Sequence, residues 1–485
     1  MIGSKSFEID AADLLKGVST SDFVSDGGFS PTTQASNIWK TPGLLYGAPP
    51  TADITGDVTD NIIASSEDAD RSLTSFNRLF VDDVGSLYTQ ASQTPTATLV
   101  KIGTDATNPT KYGKGITDII SYGSAGNAFV TNSVAILRWQ TRTATITDAF
   151  YSFTNNFSPH PAIVYEDNAF YGDGNLLLRQ TAVASAPTVI MTLPAEQTIV
   201  ALGIDPGSGK MLISVFDGVA NASATQKRTA KVLFYDGFSN KPSKTVIVNN
   251  MITAFYQLDA VVYVGYGQNL GYWTGAGIRF LRRLNVTLNG DKLPYKHNFS
   301  NIDSTLIVAE GAKILAYGDV LGRGQMVFYY IFTNTEAGVE TDMTMLTHLG
   351  SGIIGYGWVN AAAAEKFAYV DTTSVASVGA SLLFRFNKYT FARNVTLNGF
   401  IIEYGVAMPT NPATALGIFG FHDDTQQAII IPANVSGVLN LTGQSNLYQV
   451  ELTAPVTQTR SIRPFYTFST QYPIRRITVF YTPRE

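Results

Sequence analysis

The residues Gly203-Ile204-Asp205-Pro206-Gly207-Ser208-Gly209-Lys210 invite comparison with a phosphate-binding loop, whose amides and lysine cradle a nucleotide. The spacing fails. Five residues stand between Gly203 and Gly209-Lys210 where the motif has four, and Met211 occupies the place of the hydroxyl that would hold Mg²⁺. An apolar, strand-like run follows, so no helix N-terminus would face a phosphate. The four histidines, His160, His297, His348 and His422, include no pair at the spacing of a helical zinc site. His422-Asp423-Asp424 could hold a cation weakly, but it reads better as a turn between strands. With no cysteine, thiol catalysis, disulfides and thiolate metal sites are excluded. Glycoside hydrolysis needs paired carboxylates or a tyrosine nucleophile with an arginine cluster. Here Asp167, Asp173, Asp205, Asp217 and Asp236 are scattered over turns, as aspartates are in turn chemistry generally. Arg279, Arg282 and Arg283 form the densest positive cluster, with Arg475 and Arg476 second. They could clamp a carboxylate or phosphate, but solvated charge or an ion pair between subunits fits better. No catalytic residue, cofactor site or metal site is therefore expected.

The same Gly203–Lys210 stretch is better explained by the elements around it. Apolar runs Ile199–Leu202 and Met211–Phe216 flank an Asp-Pro-Gly turn, which is the pattern of a β-hairpin. Looser copies centre on positions 84, 125, 167, 207, 259, 311 and 365, at spacings of 41, 42, 40, 52, 52 and 54. A repeat of about 40–50 residues is the period of propeller blades with four strands each. The expected architecture is all-β: a β-propeller of about seven blades over residues 61–375. An extended N-terminal arm precedes it over 1–60, and a C-terminal antiparallel β-sandwich follows over 376–485. Ring closure needs a strand from the other end of the chain. Ile62-Ile63 or Thr74-Ser75-Phe76 could supply it, against the strand near Phe367. The arm is rich in Gly and Pro and reads either as a contact with a neighbouring subunit or as a strap or tail. In the last strand, Ile474, Ile477, Val479 and Tyr481 alternate with polar neighbours only if one bulge lies near Arg475-Arg476.

Composition narrows the function classes. Charged residues are 15% of the 485, below the roughly 25% usual for soluble domains, while aromatics reach 12%. Such a chain either hides surface in an assembly or simply has a large all-β core. A net charge of −5 argues against tight nucleic-acid binding, so any contact with DNA would be non-specific. Neither a signal peptide nor an apolar run long enough to span a bilayer is read from the sequence.

The segment GGFSPTTQASNIWKTPGLLYGAPP, with Trp39 and the Pro42-Gly43 turn, resembles the start of tail-nozzle and head-completion proteins of tailed bacteriophages. In that family an Asn-containing segment leads through a Pro-Gly turn into the first blade. The resemblance covers about 25 residues by motif and the rest by domain order; where the family has a more basic stretch, only Lys40 stands. It implies a virion structural protein located in the tail and not an enzyme. Such a protein forms a homo-oligomeric ring, a hexamer by the family pattern, held to neighbouring tail or connector proteins around the DNA exit channel. Candidate subunit contacts are Trp39, Pro42, Gly43, Arg279, Arg282 and Arg283. The alternative is a glycan-binding or receptor-binding propeller of tail-spike type, with Trp273, Trp358 and Tyr272 as aromatic platforms or, more simply, as packing.

Overall fold

The computed structural model describes strands and tight turns between Lys5 and Arg484; segments outside that description include 11–48, 68–77, 104–117, 218–229, 285–295, 406–417 and 432–446. The described residues form eight antiparallel sheets, seven of them four-stranded and one seven-stranded. The four-stranded sheets follow one another along the chain, each strand pairing with the next. Their innermost strands are Ile62–Glu67, Asp118–Ser121, Ala162–Tyr165, Gln197–Asp205, Ile252–Leu258, Phe299–Ile302 and Met343–Gly350. Each packs beside the next, and the seventh returns to the first, so the sheets are the blades of a closed β-propeller. Among the described residues no helix is long and apolar enough to cross a membrane.

Local chemistry sets the hairpins. The first turns of the third, fifth and sixth blades use Asp167, Asp259 and Asp303 at φ of 57°, 52° and 48°. Two-residue turns of this hand match strand twist, and aspartate tolerates the left-handed region better than most residues. The expected hairpins are all present, one per blade, but they are not equivalent positions. Those near 125, 167, 207 and 259 join first to second strands, whereas those near 84, 311 and 365 join second to third. The equivalent turns of the last two blades are at Asp303 and Ser351, steps of 44 and 48 from the turn before. Much of the apparent lengthening in the later blades comes from that mismatch.

The core lies between blades. One apolar cluster joins the first and second blades (Leu79, Val81 with Val130, Trp139), another the second and third (Phe129, Ile136 with Tyr171, Leu178). Further clusters join the third to the fourth and the fourth to the fifth. Polar bonds repeat the pattern: Thr131 Oγ1 donates to His160 O at 2.7 Å, Tyr165 Oη to Gly209 O at 2.7 Å and Ser214 Oγ to Ile252 O at 2.8 Å.

Closure corrects one expectation. The partner strand is Lys366–Asp371, as expected, but the closing strand is Thr51–Asp53, with Ala52 opposite Tyr369. Ile62-Ile63 cannot serve, because Ile62–Glu67 is the innermost strand of the first blade and pairs with Arg78–Asp82. Thr74–Phe76 lies outside the described residues. The seam is apolar: Ile54, Ile62, Phe80 and Tyr88 meet Met345, Leu349 and Phe367.

The eighth sheet draws on both chain ends. Lys5–Asp10 pairs with Ile474–Pro483, which pairs with Tyr389–Tyr404 and onward to Leu447–Phe468. So the first 60 residues contribute a closing strand at 51–53 and an edge strand at 5–10. The C-terminal strands join in one sheet, and a second layer of the expected sandwich is not among the described pairings. Runs read as separate strands merge into strands of 16 and 22 residues. The bulge is where the alternation demanded it: Glu403 faces Arg476 and Tyr404 faces Ile474, leaving Arg475 as the extra residue. Ile9, Phe400, Ile402, Ile477 and Val479 share one continuous apolar cluster with the fifth to seventh blades.

Candidate functional site

The innermost strands converge on the propeller axis, and a polar cluster lies there. Asp118 opens the first strand of the second blade and is 3% exposed. Its carboxylate accepts from the Ile119 amide at 2.9 Å and the Ala162 amide at 3.0 Å. The other partners come from across the ring. A single 3₁₀ turn, Lys296–Asn298, leads into the sixth blade. Lys296 Nζ lies 2.8 and 3.0 Å from the two Asp118 oxygens, and His297 Nε2 lies 3.0 Å from one of them. Lys296 also donates to Ala162 O at 3.3 Å, and Asn298 Nδ2 to Thr344 O of the seventh blade at 3.1 Å. One short turn thus ties the second, third and seventh blades to the sixth. Burial by itself would raise the Asp118 carboxyl; the Lys296 ammonium, with the His297 hydrogen bond, overcomes this and holds it at about 2.

Asp118, Ala162 and the 3₁₀ turn all lie at the starting ends of the inner strands. Beyond them, toward the first hairpin turns, is a cavity of about 530 Å³. Polar groups line it, among them Lys296, His297, Ser65, Gln257, Asn301, Thr347 and His348, and among the described residues no carboxylate does. Tyr256 Oη donates to Asn301 Oδ1 at 2.8 Å on its wall. This lining can hydrogen-bond a neutral polar ligand. It lacks the paired carboxylates of glycoside hydrolysis.

The residues singled out in the sequence separate. Of the histidines, His297 and His348 line this cavity, as do Gly203 and Ile204 from the Gly203–Lys210 stretch. His160 is fully buried, its ring stacked on Phe153 at 3.8 Å with Nδ1 2.9 Å from Gly172 O, and burial lowers its pKa. His422 ends strand Ile418–His422. The Gly203–Lys210 stretch is a hairpin. Asp205 accepts from Ser208 Oγ at 2.6 Å and the Gly207 amide at 3.3 Å, and Gly209 has a φ of +66°. Gly203 answers a different need: a Cβ there would lie 2.5 Å from Phe255 Cβ, so its absence lets the fourth and fifth blades meet.

The arginine cluster divides too. Arg282, on the outer strand Ile278–Arg283 of the fifth blade, is 4% exposed. It donates to Tyr330 Oη at 2.8 Å, lies 3.5 Å from Glu310 and sits over the Phe328 ring. It joins the fifth blade to the sixth inside its own chain. Arg279 and Arg283 remain exposed on that strand. Trp39, Pro42 and Gly43 lie outside the described residues. Arg475 and Arg476 pair with Glu403 at 3.3 and 2.8 Å within the C-terminal sheet. Trp273 and Trp358 are buried packing residues, and Tyr272 is half-buried beside Arg279.

The axial cluster escaped the sequence reading. Its only local signs are an aspartate opening the apolar run Ile119-Ile120 and a Lys-His pair opening Phe299–Ile302. The partners stand 178 and 179 residues apart, which no local pattern reports.

No protein-family model and no curated protein matches this sequence. Solved structures do resemble it in shape. The extracellular domain of a hybrid two-component system from B. thetaiotaomicron is 11% identical, with a TM-score of 0.47 over 79% of this chain. This chain spans about half of that protein, 47% of its length. The Swd1 β-propeller domain from Myceliophteria thermophila is 9% identical, with a TM-score of 0.44 over 65% of this chain and 98% of its own. A chain of the mitotic checkpoint complex is 9% identical, with a TM-score of 0.41 over 66% of this chain and 94% of its own. The strand order and cyclic packing of this chain itself make it a propeller.

Proposed function

We propose that this chain is a structural subunit that acts by assembly, a ring component of a tailed-phage virion of the tail-nozzle or connector type. The observation that carries the reading is the brace across the propeller axis. Lys296 and His297 reach from the entrance of the sixth blade to a buried carboxylate on the second. That carboxylate is saturated by two cationic or polar side chains and two amides, and so is withdrawn from proton transfer. A brace of this kind suits a body that must keep its shape under load. With the axis crossed by side chains, DNA would pass between copies and not through one propeller. The resemblance of residues 27–50 to the nozzle and head-completion pattern supplies the choice of virion. Mass measurement and electron microscopy of the purified protein test the reading. Ring-shaped oligomers support it, and a stable monomer at all concentrations overturns it.

A second reading draws on the cavity: its amides and hydroxyls, with Lys296, His297 and His348 beside them, could hydrogen-bond a sugar, which would make the propeller a glycan or receptor binder without hydrolysis. Binding on a glycan array that is lost in Asn301→Ala would favour it over the first.

A further inference from the structure

Away from the axis, a second cleft of about 520 Å³ opens between the fourth and fifth blades on the face of the first hairpin turns. Its walls are the Asp205–Lys210 hairpin, Ser243-Lys244 at the start of the outer strand of the fourth blade, and the Thr274-Gly275 turn of the fifth. Phe234 and Trp273, with ring centroids 6.0 Å apart, back it. Two ammonium groups line it, each held by neutral partners. Lys210 Nζ donates to Ser243 Oγ at 2.8 Å. Lys244 Nζ donates to Gly275 O at 2.8 Å and stands 4.8 Å above the Phe234 ring. Among the described residues neither has a carboxylate partner. The one carboxylate in the cleft, Asp205, is occupied by its own turn, through Ser208 Oγ and the Gly207 amide. The result is two ammonium groups held by neutral hydrogen-bond partners, with Asp205 the one carboxylate among the residues that line the cleft.

The surroundings limit what can answer them. Exposed Glu166, Asp167 and Asp303 occupy the equivalent turns of the third and sixth blades on the same face, and exposed Asp259 that of the fifth, next to Ala260 in the cleft wall. A polyanion crossing that face would be repelled on both sides of the cleft, whereas a single compact anion held between the two lysines would meet fewer of these carboxylates. Lysine ammoniums act as point charges and take carboxylate or phosphate alike. We propose that this cleft binds one oxyanionic group, a carboxylate or a phosphate, of a small ligand. Ser208, at the mouth, and the two lysines would orient it. The proposal is independent of the assembly role.

Isothermal titration at low ionic strength tests it, with inorganic phosphate in one arm and glucuronate in the other. Wild-type protein is expected to bind at least one of them with a dissociation constant on the order of 1 mM. Lys210→Met or Lys244→Met should each weaken binding about fivefold, as loss of one exposed ion pair does. The double variant should abolish binding, and Arg279→Met, outside the cleft, should leave it unchanged. Circular dichroism confirms that the variants fold. Binding of phosphate alone, glucuronate alone or both supports the proposal and identifies the group preferred. Absence of binding in both arms, or affinity undiminished in the double variant, overturns it.

Discussion

Replacing Asp118 by asparagine keeps the shape of the side chain and removes its charge. The carboxyl is held at about 2 against an ordinary 3.8. A difference of nearly two units corresponds to about 2 kcal/mol of folding free energy at neutral pH. Removing one partner of a buried pair costs about 3–5 kcal/mol when the other charge is left stranded. Lys296 is 36% exposed at its side chain, so water compensates part of its charge and the lower figure is the better one. Asp118→Asn should therefore lower the free energy of unfolding by about 2 kcal/mol in urea denaturation at pH 7. The acid limb gives an independent check. A carboxyl whose folded pKa lies below its unfolded value stabilises above the unfolded pKa. That contribution fades as pH falls through the folded pKa. Wild-type protein should lose it between about pH 4 and pH 2, and Asp118→Asn should lack that part of the acid slope. Lys296→Met, alone and combined with Asp118→Asn, closes a double-mutant cycle, and the double variant should cost less than the sum of the singles. A variant within about 0.5 kcal/mol of wild type, or an unchanged acid slope in Asp118→Asn, would refute the idea that the axial pair holds the ring.

Two further substitutions read the seams between blades. Gly203→Ala places a Cβ 2.5 Å from Phe255 Cβ and should cost about 1–3 kcal/mol in the same urea assay. Gly209→Ala, with nothing within 4 Å but a φ of +66°, should cost only about 1 kcal/mol. Arg282→Met should be the most damaging, by about 3–5 kcal/mol, since Glu310 at 1% side-chain exposure loses its guanidinium; pairing it with Glu310→Gln should recover part of the loss.

What the sequence determined by itself was whatever depends on neighbours along the chain. Alternation and turn residues located the hairpins, as at Ile199–Phe216, because a two-residue period and an Asp-Pro-Gly turn are local properties. The bulge at Arg475 was legible for the same reason: seating Ile474 and Ile477 on one face requires one extra residue. Tertiary structure alone decided which distant segments meet. A strand of three residues, Thr51–Asp53, carries too little pattern to be recognised, yet it closes the ring by backbone hydrogen bonds that any residues except proline could make. Arg282 looks like its exposed neighbours Arg279 and Arg283 in sequence, and only the approach of Tyr330 and Glu310 from the sixth blade buries it. Asp118 at a strand end and Lys296 and His297 in a short turn are ordinary polar residues until the ring brings them within 3.0 Å at its axis. Charge attraction at that range depends on separation in space and on exclusion of water, and the order of residues along the chain specifies neither directly.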